Sequence, residues 1–378
     1  MRTELIDATR SVRELIGVFT ERAAIGPRTV SLEVTHGCNL RCVFCESHGS
    51  CLSNPVVARR WYAGGRRTMA LPEVARLARD LRRLGTQLVE FSGKGEPTSH
   101  PEFTALLKAI KETGLRCSLV TNGTHAPSDL AATAVGSGLD RLTVSLNAGC
   151  REVHVRVSGQ DLWDRAVLFV REVLDLRRAL GVRRPWCRIS HVVCKENVTD
   201  MDNMVRVGCD LGVDEVLWCV MGELPETRHL QLDAQDVTSI LQRIPEWGRG
   251  LAAAGVVHNL PQFGAELPLR LSAGHVQENP LQRGLPCYEG WRFCVIGPDG
   301  ALVPCCYCEE VTPGNVTEEG FSAVWRGQGY RDLRRRMLEM PRTGIPICRE
   351  CFTSCNRAGE NLRIYKRLHP FRKALPVR

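Results

Sequence analysis

From residue 28 to 222, short runs rich in β-branched and aliphatic residues alternate with stretches of helical period. Runs at 29–35, 88–91, 116–121, 141–146, 186–193 and 215–220 predict strands; 71–84, 101–113, 128–136, 162–180 and 202–211 predict helices. Strands alternating with helices imply a parallel sheet with right-handed crossovers. Spacing alone leaves an open, partial barrel and a doubly wound sheet as alternatives. Ahead of this region, residues 4–22 read as an amphipathic helix packed on the main domain, with Leu5, Val12, Leu15, Ile16 and Phe19 on one side. Beyond it, Pro245, Pro261, Pro268 and Pro280 interrupt residues 231–282, which read as an irregular connector. Residues 285–356 are turn-rich and dense in cysteine, the texture of a small metal-organised unit with little core of its own. The expected divisions are a helix (1–27), an α/β core (28–230), a connector (231–284), a cysteine-rich domain (285–358) and a basic tail (359–378).

Composition is that of an ordinary globular protein, 43% hydrophobic and 24% charged over 378 residues. The formal charge of +8 raises nucleic acid as a partner, but arginines such as Arg76, Arg79, Arg82 and Arg83 are spread over helices. A solvated arginine-rich surface is the better account. No apolar run is long enough to span a bilayer, and the first residues lack the apolar core of a secretory signal. The expected location is the cytoplasm, with no membrane contact. In that reducing compartment eighteen cysteines point to metal or redox chemistry, not to disulfides.

The first predicted strand runs into Cys38-x3-Cys42-x2-Cys45, three thiols on one short loop at the carboxyl end of a strand. Parallel folds place their chemistry at such ends. Structural zinc usually takes four protein ligands, so a zinc loop would need Cys51 as well. Three thiolates on a four-iron cubane leave one iron open to a further ligand. The spacing, with Phe44 before the last cysteine, resembles the signature of the radical S-adenosylmethionine superfamily. That resemblance implies a partial (β/α)6 TIM-like barrel and a [4Fe–4S] cluster that binds and reductively cleaves S-adenosylmethionine. It also implies a reductant such as flavodoxin or ferredoxin. Phe44 joins the expected cofactor contacts. Ser92-Gly-Lys-Gly95-Glu96-Pro97 resembles the family's turn after strand two, which makes Gly95 and Glu96 binders of the methionine ammonium. Period-2 alternation puts Ser145 and Asn147 on one face at the end of strand four, where the resemblance gives them the ribose or carboxylate.

Cys287 and Cys305, with Gly300 before the second, are followed by Cys348-x2-Cys351-x3-Cys355. Pro298-Asp299-Gly300 reads as a hairpin turn. This segment resembles the SPASM domain of the same superfamily, or its shorter twitch form. The resemblance implies one auxiliary [4Fe–4S] cluster on Cys287, Cys305, Cys348 and Cys351, with two clusters as the alternative. Cys294, Cys306, Cys308 and Cys355 are left over. A zinc ribbon is the bland reading of the C-x2-C pair.

The chain before strand one is too short for a leader-peptide-binding domain, which favours a small, sugar- or aminocyclitol-like substrate over a peptide. Hydrogen abstraction would lead to dehydrogenation or to epimerisation. Cys194 and Cys219, near the ends of strands five and six, are candidate hydrogen donors; His191, Lys195 and Arg188 are candidate bases. Each also has a plain structural reading as a buried small residue or a satisfied polar group. The rival functions are a peptide-modifying maturase and a non-catalytic zinc- or cluster-binding interaction module.

Overall fold

A computed structural model describes residues 2–49, 68–222, 225–272, 285–306, 308, 311–339, 358–368 and 370. The six expected strands are present: β1 (Thr29–Leu32), β2 (Leu88–Phe91), β3 (Arg116–Thr121), β4 (Arg141–Ser145), β5 (Trp186–Val193) and β6 (Glu215–Val220). They pair in parallel and in chain order, each beside the next. A doubly wound sheet would reverse order at a switch point. Sequential order with both edges open is that of a partial (β/α)6 barrel. β7 (Val257–His258) extends it parallel to β6. On the other side β8 (Phe293–Ile296) pairs in parallel with β1, then β9 (Ala301–Val303) and β10 (Gly314–Asn315) follow antiparallel. The β8–β9 turn is the expected hairpin, with Gly300 at φ +83°.

The two faces of this sheet differ in chemistry. Val30, Leu32, Val89, Phe91, Cys117, Leu119, Leu142, Val144, Ile189 and Trp218 belong to one continuous buried core with the covering helices. Those helices include α2 (Leu71–Arg83), α3 (Phe103–Glu112), α4 (Leu130–Gly136), α6 (Trp163–Ala179) and α7 (Met201–Leu211), while α1 (Arg2–Phe19) and α5 (Arg151–Ser158) pack in smaller clusters of their own. Phe91 and Phe103 meet edge-to-face at 5.1 Å between centroids, a contact that adds to about 1.5–3 kcal/mol for burying each ring. The alternate residues form a polar face: Ser31 against Ser92, Ser118 donating to Glu90, and Arg188 paired with Glu215 at 2.8 Å.

Three expectations needed correction. The predicted connector holds α8 (Ala234–Ala253) and α9 (Leu260–Ser272). Asp233 caps α8 by accepting from the N–H groups of Gln235 and Asp236, and the helix continues through Pro245. The leading helix α1 packs as expected, but of the side expected to face the domain Val12, Ile16 and Phe19 are exposed and Leu15 is packed. It docks through Leu15, Val18 and a buried ion network in which Glu14 meets Arg10, Arg28 and Arg292. α5, which follows β4, has no counterpart among the expected helices. The chain ends, within the described residues, in α10 (Val316–Glu319), α11 (Phe321–Arg326), α12 (Gln328–Leu338) and α13 (Ala358–Leu368).

Candidate iron–sulfur and cofactor site

The cysteine loop leaves β1 and is tied down at both ends. Arg41 N–H donates to Ser158 O at 3.0 Å and Val43 N–H to Val157 O at 2.9 Å, so the loop takes up the last carbonyls of α5. Cys45 N–H reaches Cys42 O and Gly49 N–H reaches Cys45 O, closing a tight turn. A Cβ on Gly49 would lie 2.5 and 2.6 Å from the carbonyl oxygens of Cys42 and Cys45, so only glycine fits. All three thiols are half-buried. Leu40 N–H points at Cys38 Sγ (3.5 Å) and His48 N–H at Cys45 Sγ (3.3 Å), donors that suit thiolate sulfur. Burial first, and then the nearby Glu96 carboxylate, pushes Cys38 up to about 11; burial and then repulsion from Cys45 and Cys38 push Cys42 up to about 12, and burial raises Cys45 too. A bound metal centre would supply the positive charge that makes these thiols ligands. Among the described residues no group of His, Cys, Asp or Glu is arranged around a single ion. Cys51, the fourth ligand of the zinc alternative, lies outside them.

Gly95 sits where a Cβ would be 2.2 Å from Thr35 O and 2.8 Å from Gly37 O, and Glu96 N–H donates to Gly37 O at 2.7 Å. The turn after β2 therefore lies directly against the backbone entering the cysteine loop. The buried Glu96 carboxylate accepts from Thr98 N–H, Thr98 Oγ1 and Thr121 Oγ1 on Oε1, and from Asn122 N–H on Oε2. It joins the ends of β2 and β3, and Oε2, with one donor, keeps acceptor capacity. Asn122 continues the chain to Asn39 Oδ1 at 2.9 Å, and Asn39 donates to Thr124 Oγ1. Asn39, between Cys38 and Leu40, escaped the sequence reading because no spacing marks it.

At the end of β4 the alternation stops at Ser145. Asn147 is left-handed, at φ +57°, so the two side chains do not continue one strand face. Asn147 Oδ1 accepts from Val192 N–H at 2.8 Å, and the buried Asn197 donates to Asn147 O and Val192 O. Asn147 therefore fastens β4 to β5. Ser145 pairs in register with Ser190, and Val192 with Cys219, on the polar face. Cys194 is fully buried beside Met221 and Leu230, with Val43 and Phe44 of the cysteine loop packed against them. Phe44 also reaches the Ala148–Val153–Val157 cluster.

Of the candidate bases only Arg188 stands on that face. His191 alternates with Ser190 and Val192 and lies buried near Trp218, 5.9 Å between centroids, with both ring nitrogens unpartnered. Burial holds its pKa down at about 3, so it is a neutral imidazole. Lys195 is a surface ammonium paired with Asp233 and Asp236. Arg188 is held by Glu215.

In the cysteine-rich region, Cys287 and Cys305 are half-buried against Cys308, Leu333 and Met337. Cys294 is in the main core, and Cys306 is exposed. Cys348, Cys351 and Cys355 lie outside the described residues.

Comparison with known proteins agrees with this arrangement. The radical SAM superfamily model matches residues 32–207, and that of the SPASM iron–sulfur cluster-binding domain matches 287–352. The tungsten-containing aldehyde ferredoxin oxidoreductase cofactor-modifying protein of Pyrococcus furiosus is 24% identical, over 85% of this chain and 86% of its own. The AdoMet-dependent heme synthase of Methanosarcina barkeri is 26% identical, over 82% and 85%. In fold, SuiB of Streptococcus suis bound to S-adenosylmethionine superposes with a TM-score of 0.63, at 17% identity, over 93% of this chain and 78% of SuiB. The chain therefore belongs to the radical SAM superfamily and carries a C-terminal SPASM domain, with a [4Fe–4S] cluster and S-adenosylmethionine at the first site and auxiliary iron–sulfur binding at the second.

Proposed function

We propose that this enzyme epimerises a carbon of a small, hydroxyl-rich substrate of the sugar or aminocyclitol kind, with Cys219 as the hydrogen donor. The observation that carries this reading is the polar face at the strand ends, where Ser145 and Ser190 stand in register and Cys219 is half-buried beside Val192. Cys38, Cys42 and Cys45 would hold the cluster, which together with S-adenosylmethionine would supply the radical chemistry of hydrogen-atom abstraction. The Ser145 and Ser190 hydroxyls orient the substrate by hydrogen bonds, and the Arg188–Glu215 pair closes the face beneath them. Cys219 gives its S–H hydrogen atom to the opposite side of the substrate carbon. Its sulfur is restored by one electron from the external reductant and one proton from water. Dehydrogenation would need a base on this face, whereas His191 and Lys195 lie away from it and Arg188, which is on it, is a guanidinium held by Glu215. Cys287, Cys305, Cys348 and Cys351 remain the proposed auxiliary ligands.

The test offers anaerobically reconstituted protein, S-adenosylmethionine and dithionite in D2O to a panel of aminocyclitols and hexose derivatives. The expected product carries one solvent deuterium at an inverted carbon, formed with 5′-deoxyadenosine. Cys219→Ser should keep 5′-deoxyadenosine release and lose the deuterated epimer at least about tenfold, the scale of a lost hydrogen-transfer group. A ketone product, or turnover with a peptide alone, overturns the proposal.

A further inference from the structure

α12 carries Tyr330, Leu333, Arg334 and Met337 at helical spacing on one buried face. Leu333 and Met337 pack with Cys308 against Cys287 and Cys305, and Cys287 N–H donates to Met337 O at 3.0 Å. On the same face Tyr330 is 0% and Arg334 1% exposed, yet the Tyr330 hydroxyl and Arg334 Nη2 have no hydrogen-bond partner. The Arg334 guanidinium donates from Nε to Gly290 O and lies 4.3 Å over the Tyr330 ring and 4.4 Å over Trp325. No carboxylate among the described residues pairs with it.

Buried cations are ordinarily paired, and an unmade hydrogen bond at a buried phenol is costly. A guanidinium and a phenol left together without an acceptor point to an anion that belongs beside them. Tyr330 and Arg334 each precede by three residues a side chain of the same buried helix face, Leu333 and Met337, that packs against Cys287 and Cys305. Cys294 lies in the apolar core, where burial raises its thiol, so it is neutral. A cluster held on thiolates is anionic, and hydrogen bonds to its sulfurs shift its potential.

We propose that Tyr330 and Arg334 form the hydrogen-bond-donating, positive wall of the auxiliary cluster held by Cys287 and Cys305, and set its reduction potential. This rests on reading those two cysteines as cluster ligands. Reduction adds one negative charge, so a nearby donor and cation favour the reduced state and raise the potential.

The test is a potentiometric titration, followed by electron paramagnetic resonance, of the anaerobically reconstituted full chain. Tyr330→Phe keeps the ring stacked on Arg334 and removes only the O–H. Its expected effect is a shift of one cluster to more negative potential, with the other cluster unmoved and iron content equal to the parent. Arg334→Gln should move the same cluster in the same direction. Unchanged potentials in Tyr330→Phe, or both clusters shifting together, overturn the inference. A parent protein that holds only the first cluster overturns the ligand reading, and the inference with it.

Discussion

Polar residues at the ends of these strands serve two purposes, and residue type alone does not separate them. Asn147 matches the family pattern for a cofactor contact, yet its carbonyl oxygens link β4 to β5. Asparagine tolerates the left-handed region better than most residues, so it can turn the chain there and bond to Val192 in one step. His191 is the opposite case, a polar residue on the covered face with nothing to bond. Its folded pKa of about 3 lies below the unfolded value of about 6.5. The unfolded chain therefore binds more protons between these values, and the stability of the neutral form is lost as pH falls from about 6.5 toward 3. Between pH 7.5 and 5.5 this residue alone should cost about 1.4 kcal/mol. His191→Leu should show a urea midpoint less dependent on pH over that range. An equal pH dependence in both proteins would mean His191 is not the buried neutral imidazole described. Alternation along 186–193 already separated Ser190 from His191; which face was covered by helices was not written locally.

At the scale of elements, the loops are governed by close approaches of backbone to backbone. The turn after β2 presses Gly95 against Thr35 and Gly37, with no room for a methyl group. Gly95→Ala must move the backbone that leads to Cys38, while leaving the auxiliary region untouched. The expected result is loss of the first cluster with retention of auxiliary iron, read by iron analysis and by absence of 5′-deoxyadenosine on reduction. A variant with the parent's iron and cleavage would show that the loop moves freely. The glycine-rich turn was legible in sequence because its motif is local, and β2, β3, β5 and β6 were legible because β-branched runs end at turn residues. α8 was not, since Pro245 reads as a breaker while Val237, Ile240, Trp247 and Leu251 on either side pack into the core. Tertiary packing there outweighs a local cost of about 3 kcal/mol. α1 misled in the other direction: Val12, Ile16 and Phe19 of its apolar stripe are exposed, and a buried carboxylate with three arginines shares the docking with Leu15 and Val18. Hydrophobic period cannot announce an ion network whose partners lie at Arg28 and Arg292.

The cysteine-rich segment reads in sequence as a small appended domain, but its hairpin continues the main sheet. β8 lies against β1 in register from Thr29 with Phe293 to Leu32 with Ile296, and Arg28 and Thr29 both donate backbone N–H to Arg292 O. Trp325 Nε1 donates to Ile25 O, Arg76 to Thr317 O and Arg335 to Glu21. The strand that delivers Cys38 is thus interior only because a segment more than 250 residues later covers its edge. No local pattern in Phe293–Ile296 tells which strand it joins, so this pairing was beyond the sequence reading. It makes the first cluster depend on the second domain. A chain ending at Ser272 would bare β1, with its apolar Val30 and Leu32, as an edge of the kind that invites aggregation. The expected outcome is insoluble protein, or soluble protein that holds less than about half of the first cluster's four irons. A soluble 1–272 chain with a complete first cluster would instead mean that the hairpin is a passenger on the sheet, and that β1 holds the cysteine loop without it.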